Sequence, residues 1–134
     1  MRPTFSLQVA TPERVVLARR ITSLVGPGVE GYLGILARHA PLIAALDIGK
    51  LKLTLEDGRE ELLAIGGGFL EVSRDGVTVL GDTAELAEEI DTERARQARD
   101  RALERLNGKA KEPDIDSTRL ALQRALNRLR VAGS

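Results

Sequence analysis

The sequence predicts two structural classes in series. Residues 1–84 read as an all-β sandwich or barrel, and residues 85–134 as a C-terminal antiparallel two-helix hairpin. Three observations carry this reading. Apolar and polar residues alternate with period two through the front, in short runs divided by turn dipeptides. From Ala84 to Asn107 there is no glycine, and the composition shifts to Ala, Leu, Glu and Arg, all strong helix formers. The pair Asn107-Gly108 then divides the helical part in two.

The strands come first. Phe5, Leu7 and Val9 alternate with Thr4, Ser6 and Gln8. Leu51, Leu53 and Leu55 alternate with Lys50, Lys52 and Thr54, and Val77 and Val79 follow Asp75-Gly76. A period of two sends one set of side chains to a buried face and the other to water. Thr11-Pro12, Pro27-Gly28, Asp57-Gly58 and Asp75-Gly76 read as turns, because Gly tolerates positive φ and Pro holds φ near −65°.

The pattern changes near Asp82. Asp91 is the expected N-cap of a first helix over about 92–106, its carboxylate accepting an orphan amide of the first turn. Ala95, Ala98, Ala102 and Leu106 fall at helical spacing. Lys109 to Pro113 form a short connection, which favours antiparallel neighbours. Asp114 or Asp116 caps the second helix, whose apolar side is Ala121, Leu122, Ala125, Leu129 and Ala132.

That seam is mostly alanine. A buried Leu contributes about 1.5–3 kcal/mol, and an alanine much less. An isolated helix of about 15 residues is marginal in water. The hairpin therefore depends on docking to something else, as a conformational switch requires.

Composition narrows the function. The 43% hydrophobic content supports a packed core. Residues 1–90 carry 9 Lys/Arg against 13 Asp/Glu, a balance of −4, and residues 91–134 carry 11 against 7, a balance of +4. An acidic front and a basic tail suggest two modules with different partners. With no cysteine, disulfide and thiol chemistry are excluded. No apolar run approaches the ~18 residues of a membrane span, and Met1 to Val9 lacks a signal-peptide pattern. Direct membrane insertion is not expected. Nucleic acid is not an expected partner either, since no aromatic follows Phe69 to stack on bases.

The candidate chemistry is sparse. His39 is the sole histidine and has no nucleophile or orienting acid at a suggestive spacing, so it reads as structural. One His without Cys argues against a metal site. Gly66-Gly67-Gly68-Phe69 lacks the Gly-Lys-Ser/Thr of a phosphate loop and reads as close packing or a bulge. Arg94 and Arg101 share one helical face, as do Arg124 and Arg128. In an antiparallel hairpin the two pairs can converge on a polyphosphate through bidentate donors, with Asp91 accepting from an amino group. The plain alternative is a solvated face laced with Glu–Arg pairs.

Taken together, the motifs resemble the ATP synthase epsilon subunit family, called delta in mitochondria. The matching elements are Thr11-Pro12-Glu13, Gly31 to Leu42, Gly67-Gly68-Phe69-Leu70-Glu71-Val72 and Val77-Thr78-Val79-Leu80. Asp82-Thr83-Ala84-Glu85, the Ile-Asp-x-x-Arg-Ala element at Ile90, and Arg119 through Leu129 complete the set. Each is weak alone, and their order and spacing are specific. The resemblance implies a sandwich of about ten strands and no catalytic role.

It further implies a rotor-stalk subunit that couples c-ring rotation to the catalytic head through gamma. Glu30, Gly31, Tyr32 and His39, on one loop, would lie near the c-ring. The hairpin would be a movable arm that opposes ATP hydrolysis when extended toward the alpha/beta head. In some family members the folded arm binds ATP as a regulatory ligand. By position that site would be Glu85, Ile90, Asp91, Arg94, Ala95, Arg101, Arg124 and Arg128. No other cofactor is required, and the implied place is the cytoplasmic face of the bacterial plasma membrane, within the complex. A generic sandwich-plus-hairpin adaptor, without a rotary role, is the rival reading.

Overall fold

A computed structural model describes residues 2–109 and 114–133 of the chain. Seven strands come first: β1 (Phe5–Ala10), β2 (Val15–Gly28), β3 (Gly31–Leu36), β4 (Leu42–Leu55), β5 (Glu60–Ser73), β6 (Gly76–Gly81) and β7 (Ala84–Leu86). A 3-10 turn, Ala87–Glu89, leads to helix α1 (Thr92–Glu104). A π-type turn, Arg105–Lys109, follows α1, and helix α2 spans Asp114–Ala132.

The predicted alternation appears as burial. Phe5, Leu7 and Val9 are inside β1 while Ser6 and Gln8 are exposed. Leu51, Leu53 and Leu55 of β4 and Val77 and Val79 of β6 are likewise buried. Neighbour pairing runs β1-β6-β5-β4-β2-β3, and β1 also pairs with β2. Strands β1, β6, β5, β4 and β2 therefore close on themselves, which leaves few unpaired edges to protect. The β1–β6 pair is parallel and the others are antiparallel.

The strand count is seven rather than about ten. The difference lies in β2, β4 and β5, each 14 residues long. Each is long enough to turn a sandwich corner, and counting each of them twice recovers ten. Corners need irregular backbone. In β5 the ladder passes from Ile48↔Gly66 to Leu46↔Gly68, with Gly67 at φ 93° and Gly68 at φ 142°. The glycine run is thus a corner within a strand whose register with β4 is unbroken, the close-packing reading, and no phosphate loop.

One further expectation needs correction. Pro27-Gly28 is not a turn; it ends β2, beside a shift in the β2–β4 register between Val25 and Gly28. The turn itself is Val29-Glu30. Proline is tolerated in a ladder at such irregularities, and Gly49 gives the Pro27 ring its space: a Cβ at Gly49 would lie 2.5 Å from Pro27 Cβ. By backbone contacts the chain forms two compact units, Met1–Leu86 and Ala87–Ser134. Ala84–Leu86 continues the β6 register along β5, from Gly68↔Gly81 to Ile65↔Ala84 and Leu63↔Leu86.

The front unit, through Leu86, is built round one apolar cluster that includes Leu7, Ile21, Leu24, Leu53, Leu63 and Ile65, each at most 1% exposed. Aromatics contribute little: Phe5 is buried, whereas Tyr32 is 70% and Phe69 58% exposed.

In the rear unit, from Ala87, α1 packs on α2. Asp91 caps α1 as its position predicts, Oδ1 accepting from the Arg94 N–H at 3.1 Å. Helical backbone ends at Asn107 and Gly108, the latter at φ 123°. Ala95 and Ala102 are buried, with Ala98 and Leu106 half-buried. The seam of α2 differs from expectation. Ala125 is buried, but so are Thr118, Asn127 and Val131. Leu122, Leu129 and Ala132 are only half-buried, and Ala121 is exposed. Ala121 faces a hollow of about 280 Å³ with Ala98, Ala102 and Arg101, because three methyl groups cannot fill the gap between two helices. Asp114 and Asp116, the two expected caps, both lie inside the first turn of α2 rather than ahead of it, and the residue before Asp114 lies outside the described residues.

Candidate functional site

The predicted nucleotide residues fall on both sides of the division. Glu85 sits on β7 of the front unit, half-buried and paired with Ala64. The other seven belong to the rear unit. Ile90 is buried, and its N–H donates to the Ala87 carbonyl at 3.3 Å. This turn sets Asp91 at the mouth of α1. Capping uses Oδ1 of Asp91, and a carboxylate retains capacity for a further donor at its second oxygen.

The hairpin register decides which arginines meet. Arg105 and Asp114 approach to 3.9 Å at the connection. Counting equal steps away from that pair along antiparallel helices, Arg101 comes level with Thr118, Arg94 with Ala125 and Asp91 with Arg128. The same hollow is lined by Arg101 and Thr118, which agrees with this register. Asp91, Arg94, Arg124 and Arg128 thus share one stretch of the hairpin. Arg101 stands seven residues from Arg94, about 10 Å nearer the connection at 1.5 Å per residue.

Arg94 and Arg101 are exposed and have no ion-pair partner among the described residues. Arg124 and Arg128 are half-buried. Acid–base pairs on the hairpin include Arg96–Glu93 at 3.5 Å, Arg99–Asp100 at 2.9 Å and Arg119–Asp116 at 4.0 Å. Exposed pairs of this kind contribute little to stability. No group of His, Asp and Glu placed to hold a metal occurs among the described residues.

The residues expected to face the c-ring do not share one loop. Glu30 lies in the β2–β3 turn, Gly31 and Tyr32 open β3, and His39 follows β3 at its far end. A six-residue strand separates these groups, about 17 Å at the usual rise. Glu30, Tyr32 and His39 are all exposed. His39 Nδ1 donates to the Ala40 carbonyl at 2.7 Å and its N–H to the Leu36 carbonyl at 3.2 Å, so it closes a turn.

Two surfaces went unread in the sequence. An outward apolar row crosses the sheet: Ala45 pairs with Phe69, and Phe69 with Leu80, which is 55% exposed. Ile43, two residues along β4, is 70% exposed. The signal was present, since burying Leu70 and Val72 by alternation turns Phe69 outward. The second surface is a hollow of about 510 Å³ at the His39 end, with Arg20, Arg38, Arg74 and Asp75 in its lining. Those arginines are far apart in sequence, and no local pattern joins them.

Comparison with known proteins agrees with this layout. Residues 4–87 match the family described as the ATP synthase delta/epsilon chain, beta-sandwich domain. Residues 88–133 match its companion, the long alpha-helix domain of the same chain. The chain belongs to the ATP synthase delta/epsilon family.

Members of that family are accessory rather than catalytic chains, and this chain is one of them. It is 47% identical over 131 residues to the ATP synthase epsilon chain of Moorella thermoacetica, covering 98% of each. It is 45% identical over 132 residues to that of Desulforamulus reducens, covering 98% of this chain and 99% of the relative. Among solved structures it resembles a chain of the Euglena gracilis mitochondrial ATP synthase, an assembly of OSCP, F1 and c-ring. That likeness has a TM-score of 0.81 at 25% identity, covering 100% of this chain and 84% of the other. No helix among the described residues is long and apolar enough to cross a membrane.

Proposed function

We propose that this chain is an epsilon-type subunit of the central stalk of a bacterial F-type ATP synthase, with a rigid front that grips the rotor and a hairpin that regulates it. The observation carrying the first half is the outward row of Phe69, Leu80 and Ile43 on a closed β unit. A contiguous exposed apolar row marks a docking surface. Gamma is its proposed occupant, and the surfaces at Glu30, Gly31, Tyr32 and His39 are offered to the c-ring. Through these contacts the chain would lie peripherally on the cytoplasmic face of the plasma membrane.

The regulatory half is supported by how weakly the hairpin holds itself. Its buried residues include Ala95, Ala102 and Ala125, with polar Thr118 and Asn127 among them, whereas Leu103, Leu120 and Leu126 remain 40–45% exposed. Those leucines and the basic arm suit a partner in the catalytic head. ATP would stabilise the folded arm, with Asp91 receiving the adenine amino group and Arg94, Arg124 and Arg128 holding phosphates. Arg101, farther along, would reach only the distal end of the chain of phosphates.

Co-purification with gamma tests the stalk role. Retention that is lost on Phe69→Asp supports it, and a stable complex with some other protein in place of gamma favours the adaptor reading. Removal of residues from Ala87 onward should raise ATP hydrolysis by the assembled complex. Amide shifts on ATP titration that survive both Arg94→Ala and Arg124→Ala would place the nucleotide elsewhere.

A further inference from the structure

The end of the front unit beside His39 carries a concave basic surface whose arginines none of these roles uses. The hollow holds about 510 Å³, within the usual range for small-molecule sites. Three guanidiniums line it, from Arg20, Arg38 and Arg74, against one carboxylate, Asp75. The net lining charge is +2 with His39 neutral. It occurs within residues 1–90, whose overall balance is −4, so the concentration of positive charge is local.

Each arginine is brought there by a different device. Arg20 stands on β2 opposite Ser6 of β1. Its Nε donates to Thr4 Oγ1 at 3.0 Å and its Nη2 to the Thr4 carbonyl at 3.2 Å. Two of five donors are used, so three stay available on a guanidinium already held in place. Arg74 sits in the two-residue turn between β5 and β6. Arg38 occupies the left-handed region at φ 66°, and is the sole non-glycine residue with positive φ among those described. A strained backbone that persists beside a cavity points to a use for the side chain it presents. The turn that holds it is closed by the two His39 hydrogen bonds. Neither Arg38 nor Arg74 has an ion-pair partner among the described residues.

We infer that this hollow binds a phosphate ester, with Arg20, Arg38 and Arg74 as its donors. Charge selects the class. A phosphomonoester dianion balances a lining of +2, while one carboxylate would leave a guanidinium uncompensated. Shape selects an ester over bare phosphate. Phosphate fills a small part of the space, and Leu36, Pro41 and Val72 supply an apolar wall for an attached organic group. The ester can be a soluble organophosphate or the headgroup of an anionic phospholipid, since both present the same chemistry.

The test uses the full chain and reads amide shifts and vesicle binding. Inorganic phosphate, glycerol 3-phosphate and ATP are titrated separately. Co-sedimentation is measured with phosphatidylcholine vesicles, with and without phosphatidic acid. The expected result is a set of shifts confined to Thr4–Ser6, Ala37–His39 and Ser73–Gly76, stronger with glycerol 3-phosphate than with inorganic phosphate. The double variant Arg38→Gln/Arg74→Gln should weaken it at least tenfold, while Arg96→Gln on the hairpin leaves it unchanged. Both altered side chains are exposed, so the fold should survive, and an unaltered thermal midpoint checks this. Shifts with the soluble ester identify a free organophosphate. Sedimentation that needs phosphatidic acid and is lost in the double variant identifies a lipid headgroup. The inference is overturned if no phosphate species acts here, if the double variant responds as the parent does, or if an acidic peptide binds as tightly as the ester. A response confined to Arg94 and Arg124 overturns it as well, and leaves the hairpin reading intact.

Discussion

Gly68 shows how one backbone angle can decide a sheet corner. Its φ of 142° is hostile to any side chain, and an added Cβ would lie 2.0 Å from the Leu80 carbonyl oxygen. Gly68→Ala should cost about 3 kcal/mol or more in chemical denaturation. Gly34, on β3, has nothing within 4 Å of its Cβ position. Gly34→Ala should stay within about 0.5 kcal/mol of the parent. Asp57 offers a second test on one side chain. The Arg59 N–H, at 3.0 Å, and then the Arg59 guanidinium, with Nε at 2.6 Å, hold its carboxyl below the ordinary 3.8. A depressed carboxylate favours the fold above its unfolded value, and that contribution disappears as pH falls through the lower folded value. The carboxylate is exposed, so its own carbon resonance is the suitable probe. Its midpoint should fall below 3.8, and Arg59→Ala should raise it only partway, since the backbone donor remains.

Helix α1 depends on a single cap. Asp91→Ala should cost about 1 kcal/mol and lower hydrogen-exchange protection in the first turn. Asp91→Asn keeps an equivalent cap while removing the negative charge. The pair of variants separates two roles that one carboxylate combines. If ATP affinity falls in Asp91→Asn while helicity is kept, the carboxylate itself contacts the ligand. If affinity falls only in Asp91→Ala, the residue acts by holding the helix. The seam of α2 teaches a different lesson. Helical periodicity pointed to Ala121, Leu122, Ala125, Leu129 and Ala132, yet of these only Ala125 is buried, together with Thr118, Asn127 and Val131. Thr118 can be buried because its hydroxyl donates to the Asp114 carbonyl at 2.7 Å. Periodicity ranks residues by hydropathy, and a polar group satisfied within its own helix escapes that ranking.

The two units differ in how they hold together. The front one closes its strands round leucine, isoleucine and valine, and the rear one presses alanines against alanines. A fragment ending at Leu86 should therefore unfold cooperatively, with a denaturant midpoint close to that of the full chain. A peptide from Ala87 to the end should show weak, concentration-independent helicity by circular dichroism. Comparable cooperativity in both fragments would contradict a loosely held arm. The exposed leucines of the hairpin and the outward Phe69 and Leu80 are the surfaces that the proposed assembly would cover.

Strand alternation, the Asp91 cap, the Gly108 stop and the two-part division were legible in the residue order, because each depends on neighbours within a turn or a strand. So was family membership, carried by short motifs in a specific order. Other features needed distant parts of the chain to meet. Closure of the strands requires β1 to pair with both β2 and β6. The separation of Tyr32 from His39 requires that β3 be a strand rather than part of a loop. The offset of Arg101 from Arg124 requires the hairpin register. The convergence of Arg20, Arg38 and Arg74 requires three segments to end at one rim. Local chemistry is written in consecutive residues, whereas a site assembled from separate strands exists only after packing has set their register.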